Sequence, residues 1–204
     1  MAEDAPPDEG PVFPATPPER IELGGGRALV RGSADRAAAA AVSVNESLEH
    51  LAPWMAWAAE PATEAGLATV FAAGEELWDR RRDFGYSVIE GSDERIVGGC
   101  GLHGRLDEHG LEIGYWIHVD RIGQGLATEV SRALTDAAFG IPGVERVRIQ
   151  CDDRNVRSAR VPEKLGYDLQ GVEVPDGGPC EGRSTQIWLV HRADWIAMRQ
   201  EAAS

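Results

Sequence analysis

The sequence predicts a mixed α/β domain, and three observations carry that expectation. The hydrophobic period changes near residue 86, an alternating strand at 111–119 runs into a glycine-rich turn, and a helical apolar stripe begins directly after that turn. With 204 residues the chain can bury one core and would be cramped by a second domain. Residues 1–20 hold six of the twelve prolines, with acids between them. Such a segment buries too little apolar surface to offset its ordering entropy, so 1–20 is expected as a flexible tail and 21–204 as a single domain.

Taken in order, residues 21–33 read as two short extended pieces around the Gly24-Gly25-Gly26 turn. Residues 34–51 form an alanine-rich helix that Pro53 interrupts, and a second helix runs over 63–82 behind Pro61. Three strands in a meander follow at 86–90, 95–102 and 111–119. In the last, Leu111, Ile113, Tyr115, Ile117 and Val119 share one face, and Glu112, Gly114, Trp116 and His118 share the other. From 125 to 139 the residues Leu126, Val130, Leu134 and Ala138 make one helical stripe. Residues 146–151 form a strand and 155–165 a helical segment. Pro162 removes a hydrogen bond there, so regular helix is expected only from about Val161. Strands at 169–174 and 185–191 and a terminal helix at 193–201 complete the order.

Charge and cysteine content narrow the function. A net charge of −14 is the wrong sign for a nucleic-acid surface, which needs clustered Lys and Arg, and it favours cationic partners such as amines. No run approaches about 18 apolar residues and no basic-then-apolar leader opens the chain, so no membrane partner and a cytoplasmic location are expected. Cys100, Cys151 and Cys180 are odd in number and form no CxxC pair, which speaks against a disulfide framework and against a metal site.

The chemistry is concentrated in two segments. After the 111–119 strand comes Gly123-Gln-Gly125-Leu-Ala127-Thr-Glu129, and a helix starts at once. Small residues let the backbone turn tightly, and the free N–H groups of the loop and first helical turn form an anion site suited to a pyrophosphate. The third small residue comes one position too early for a dinucleotide fingerprint, and no Gly-Lys-Ser/Thr follows for a Walker loop. Downstream, Asn155 and Ser158 stand at a strand-to-helix junction in Asn155-Val-Arg-Ser158-Ala-Arg-Val-Pro-Glu-Lys-Leu-Gly-Tyr167.

Together these two segments resemble the motifs of the GNAT superfamily of acyl-CoA-dependent N-acyltransferases, in the form of its RimJ/RimL-like branch. Leu51-Ala-Pro-Trp-Met-Ala-Trp57 and Leu189-Val-His-Arg-Ala-Asp-Trp195 resemble further parts of that branch, so the likeness spans roughly 20–196. It implies a mostly antiparallel sheet that splays between the 111–119 and 146–151 strands, with helices on both sides. The pantetheine arm of acetyl-CoA, or of succinyl-CoA or another acyl-CoA, would run in that opening. The resemblance places it along the backbone of Ile117, His118 and Val119, with the pyrophosphate on the amides of Gly123, Gln124, Gly125, Leu126, Ala127 and Thr128 and the arm held by Asn155. Many relatives carry Gln or Arg where this chain has Ile122, which implies weaker CoA affinity.

The implied reaction is direct attack of a primary amine on the thioester. Glu112 is the candidate base and Ser158 the candidate donor to the leaving thiolate, while Trp54, Trp57 and Tyr115 are the candidate acceptor-side residues. Among the candidate histidines His103, His109 and His118, His118 stands out because it shares a strand face with Glu112. No cysteine has a His partner in sequence, which favours direct transfer over an acyl-enzyme. The acceptor expected from the resemblance is a protein N-terminal amine. Two alternatives stand beside it: a small-molecule amine acetyl- or succinyltransferase, and a non-catalytic acyl-CoA-binding regulatory module. Members of that branch are often homodimers, and the resemblance extends this expectation here.

Overall fold

The computed structural model describes residues 10–177 and 180–201. Eight strands form one sheet: β1 Arg20–Leu23, β2 Arg27–Arg31, β3 Asp83–Glu90, β4 Arg95–His103, β5 Gly110–Ile117, β6 Arg146–Asp152, β7 Asp168–Glu173 and β8 Thr185–His191. Its order is β1-β2-β3-β4-β5-β6-β8-β7. Every neighbouring pair is antiparallel except β5 and β6. The helices are α1 Ala37–Glu46, α2 Leu48–Leu51, α3 Glu64–Asp79, α4 Leu126–Gly140, α5 Val156–Lys164 and α6 Arg192–Glu201. The mixed, mostly antiparallel sheet matches the sequence expectation.

The parallel β5–β6 pair decides the architecture. It holds only from Gly110–Arg146 to Ile113–Ile149, and then stops while β5 continues to Ile117 and β6 to Asp152. The sheet therefore opens between these strands, on both sides of which the apolar layers remain intact. On one face the α4 stripe of Leu126, Val130, Leu134 and Ala138 is 0–1% exposed and packs with Leu111, Ile113 and Ile149. Burying such side chains contributes roughly 1.5–3 kcal/mol each. On the other, Ala40 of α1 and Leu67 and Phe71 of α3 pack with Ala28, Val30, Ile89 and Ile96.

Several boundaries differ from the sequence expectation for identifiable reasons. The 111–119 strand ends at Ile117, because His118 turns its side chain to accept the Asp120 N–H and caps a 3₁₀ turn over Val119–Arg121. Helix α5 begins at Val156 rather than near Val161, because the Asn155 side chain caps it by accepting the Ser158 N–H at 3.1 Å. Pro162 stays inside that helix, and the Ser158 carbonyl it leaves without an N–H partner accepts the Tyr115 hydroxyl at 3.4 Å.

Residues 10–19 do not form a free tail. Phe13 is fully buried against Phe84, and its N–H donates to the Arg81 carbonyl at 2.9 Å. Arg82 donates to the Gly10 carbonyl, and the Tyr86 hydroxyl to the Pro18 carbonyl. Prolines and scattered acids give no apolar period to read, and one phenylalanine supplies the anchor, so composition alone misreads residues 10–19. Residues 1–9 of the expected tail lie outside the described residues.

Candidate active site

The opening exposes strand backbone. His118 N–H donates to the Val97 carbonyl of β4. By the alternation of an antiparallel ladder, Gly114 and Trp116 also aim their backbone groups at β4, whereas Tyr115 and Ile117 aim theirs at the side from which β6 has diverged. Ile117 thus presents N–H and C=O to the opening. Val119 does not present its N–H, which donates to Ser47 Oγ at 3.1 Å. The His118 side chain is 1% exposed and has no access to a cofactor.

At the end of β5 the glycine loop has the form of an anion cradle. Gly123 and Gly125 adopt φ of +73° and +83°, the left-handed region that glycine enters without strain. Gly125 is the N-cap of α4 and offers no side chain, so the amides of Leu126, Ala127 and Thr128 point outward with the positive end of the helix dipole behind them. A Cβ at Gly123 or Gly125 would meet nothing within 4 Å, so the space beside the loop is open. The Gln124 side chain folds back onto the Asp120 carbonyl at 2.8 Å, and Ile122 packs against the core. The cradle is accordingly made of backbone. Glu129 in the first turn is neutralised by Arg27 at 3.0 Å and by the Gly24 N–H. Placing valine at 125 forces a β-branched residue into left-handed backbone, at roughly 1–2 kcal/mol. Gly125→Val is therefore expected to weaken acetyl-CoA binding about tenfold in calorimetric titration, and an unchanged Kd would contradict the cradle.

Above the opening, on the α4–α5 face, Tyr115 and Ser158 meet. Their hydroxyl oxygens are 2.9 Å apart, and burial holds the phenol well above the usual tyrosine range. Beside them is Cys151, next to the end of β6, whose thiol burial pushes up to about 11. The Ser158 and Trp188 side chains face that sulfur.

These features, an interrupted parallel strand pair, a backbone anion cradle and a part-buried hydroxyl pair, meet a match in sequence. Residues 27–168 match the acetyltransferase (GNAT) domain family, well over half the chain.

The chain belongs to the GNAT acetyltransferase family.

Within this family it is 28% identical over 101 residues to the probable N-acetyltransferase YjcK of Bacillus subtilis (strain 168), covering 48% of this chain and 55% of that one. It is 26% identical over 131 residues to aminoglycoside N(6')-acetyltransferase type 1 of Klebsiella pneumoniae, covering 63% and 54%. The chain spans about half the length of the curated relatives it matches. The ribosomal L7/L12 alpha-N-protein acetyltransferase RimL, in complex with coenzyme A, superposes with a TM-score of 0.76 at 16% identity over 85% of this chain and 98% of that one. At that identity the likeness is one of fold.

In this GNAT chain the opposite face of the opening is lined by Trp116 of β5, which meets the half-exposed Trp57 edge-on at 6.4 Å. The Trp54 and Pro53 carbonyls accept from Arg183, which ties the 53–57 segment to the β7–β8 connection. Trp57 is half-exposed beside Trp116. Trp54 joins the same wall through its backbone. Tyr115 lies apart from that wall, on the α5 side with Ser158, and its strand neighbour Trp116 is the residue that meets Trp57.

Glu112 is not a free carboxylate. It is 4% exposed, and its two oxygens accept from Arg105 at 2.8 Å and from Arg148 at 2.7 and 3.0 Å. Both oxygens are thus taken by guanidinium donors on a buried side chain, which leaves none turned toward an incoming amine, so the geometry does not support the role of base expected for Glu112. His118 is likewise committed. Its Nδ1 accepts the Asp120 N–H, which places the proton on Nε2, 2.9 Å from Glu46. His109 stands at the other end of β5, against the Gly143 carbonyl. The sequence missed Trp116, Arg148 and Arg183. Strand alternation held the signal for Trp116, but nothing periodic marks Arg183 in its loop.

The raised pKa of Cys151 leaves the thiol protonated at neutral pH and makes it a poor nucleophile. Iodoacetamide at pH 8 is expected to label Cys151 far more slowly in the folded protein than in urea. Equal rates would revive a covalent acyl-enzyme.

Proposed function

We propose that this protein transfers the acetyl group of acetyl-CoA directly to a primary amine, and that the amine is the N-terminus of a protein. The observation that carries the reading is the opening between β5 and β6, with the Gly123–Gly125 cradle at one end and the Tyr115–Ser158 pair at its middle. Acetyl-CoA supplies the activated acyl thioester. The amides from Gly123 to Thr128 bind its pyrophosphate, and the Ile117 backbone receives the pantetheine arm as an added strand edge. The Asn155 oxygen is used as the helix cap, so its amide nitrogen is the group left to donate to that arm. Ser158 donates its proton to the departing sulfur while accepting one from Tyr115, whose phenol burial keeps protonated. A GNAT chain with this hydroxyl pair in place is built for turnover rather than for sensing alone.

An N-terminal amine fits an acceptor face that is a wall of Trp57 and Trp116 rather than a closed pocket, and the fold likeness to RimL supports it. The likeness in sequence to an aminoglycoside acetyltransferase and the net charge of −14 favour a polycationic small amine as the second reading. Incubating the protein with acetyl-CoA and either Ala- and Ser-initiated peptides or kanamycin, followed by mass spectrometry, separates the two. A 42 Da gain, about one acetyl group, on the peptide α-amine supports the first reading. A gain on kanamycin alone supports the second, and a gain on neither contradicts both.

A further inference from the structure

Transfer to an amine requires a proton acceptor on the face from which the amine arrives, and Glu112 does not provide it. The described residues on that face include one imidazole that is oriented and not committed. His103 ends β4 as the cross-strand partner of Glu112, so its side chain rises on the Glu112–Gly114–Trp116 face. Its Nδ1 is 2.8 and 3.0 Å from the two oxygens of Asp83, the β3 residue paired with it on the other side. A carboxylate only accepts, so Nδ1 carries the proton and Nε2 has its lone pair free.

The direction of that lone pair matters. A Cβ built on Gly114 would lie 3.0 Å from His103 Nε2, and one on Gly101 2.9 Å from Cε1 and 3.1 Å from Nε2. The imidazole therefore rests on two glycines, and its Nε2 end overlies Gly114. Gly114 is the first β5 residue beyond the last β5–β6 pair, at the lip of the opening. Any side chain at 101 or 114 would lift the ring from this seat.

We infer that His103, held by Asp83, is the general base that deprotonates the incoming amine. The inference rests on the transferase reading above and adds its missing group. The ammonium gives one proton to His103 Nε2, directly or through one water, and the freed nitrogen lone pair forms the C–N bond as the C–S bond breaks. The sulfur leaves with its electron pair and takes a proton from Ser158 on the opposite face, which Ser158 regains from solvent once CoA departs; His103 passes the first proton to solvent, and the second nitrogen proton, strongly acidic once that nitrogen carries the acyl group, goes directly to water. Base and acid thus stand on opposite sides of the sheet. The charged groups facing His103 are Asp83 on β3 and Glu112 on β5, the latter neutralised by Arg105 and by Arg148 of β6.

The test uses two nucleophiles with the full chain: an Ala-initiated peptide, whose amine must lose a proton, and hydroxylamine, which is uncharged at neutral pH. His103→Gln is expected to lower kcat for the peptide about 10²-fold and to remove the acid limb of its pH profile, with KM for acetyl-CoA and the hydroxylamine rate unchanged. Asp83→Asn is expected to lower kcat for the peptide as well, because Nδ1 loses the carboxylate that fixes the tautomer with Nε2 free. Independently of turnover, ¹⁵N NMR of the imidazole is expected to show the Nδ1–H form in the wild type and a mixture in Asp83→Asn. A His103→Gln enzyme with wild-type peptide kinetics and pH profile overturns the inference alone. A wild type inactive toward both nucleophiles overturns the transferase reading, and the role of His103 with it.

Discussion

Replacing Glu112 by alanine is expected to lower the stability by about 3–5 kcal/mol, because it strips the common partner from two arginines. Arg148 is only a quarter exposed and donates two hydrogen bonds to Glu112, while Arg105 donates one more. Without the carboxylate two positive charges would face one another beside the strand pair that hinges the opening, with the Arg148 guanidinium poorly solvated. For a chain of this size that loss corresponds to a fall in Tm of roughly 10 °C. Glu112→Gln keeps the shape and loses the charge, so a smaller fall is expected. Thermal unfolding of the two variants measures both. A Glu112→Ala protein as stable as the wild type would return the residue to the role of an accessible carboxylate.

Ser158→Ala and Tyr115→Phe are each expected to lower kcat about 10²-fold, with little change in KM for acetyl-CoA or in stability. Neither substitution touches packing: Tyr115→Phe keeps the ring, and Ser158→Ala keeps the N–H that Asn155 caps. What is lost is the 2.9 Å contact that passes a proton toward the sulfur and, in Tyr115→Phe, the phenol's longer 3.4 Å bond to the Ser158 carbonyl. Because the two hydroxyls act as one path, the double variant is expected to be no slower than the slower single one, and the effects should not multiply. A double variant at the product of the two losses would mean that the hydroxyls act separately. Full activity in Ser158→Ala would remove Ser158 from the reaction.

The parts of this protein that repeat with a period were legible in its sequence. The alternation over 111–117 identified β5 and its two faces, and the Leu126–Val130–Leu134–Ala138 stripe identified α4. The order strand, Gly123-x-Gly125, helix located the cradle, since φ above +70° at both positions is what glycine is there to permit. Side-chain partnership was not legible. Whether Glu112 is a free base or a bridge depends on Arg148, 36 positions away and adjacent only through parallel pairing. The choice between His118 and His103 turned on Glu46 and Asp83, which lie on other elements. Sequence reasoning preferred His118 because it shared a strand face with Glu112, yet the strand had already ended and the ring turned inward as a cap. The Phe13 anchor was hidden because a single aromatic among prolines has no period at all.

The most direct test of the account is the thermal unfolding of the wild type and of Gly125→Val with and without acetyl-CoA. At a ligand concentration of 100 times Kd the folded state gains about 2.7 kcal/mol. For the wild type this predicts a rise in Tm of roughly 5–10 °C, with a clearly smaller rise for Gly125→Val at the same concentration. No rise in the wild type at millimolar acetyl-CoA would contradict the central claim that the β5–β6 opening and the Gly123–Gly125 cradle form an acyl-CoA site.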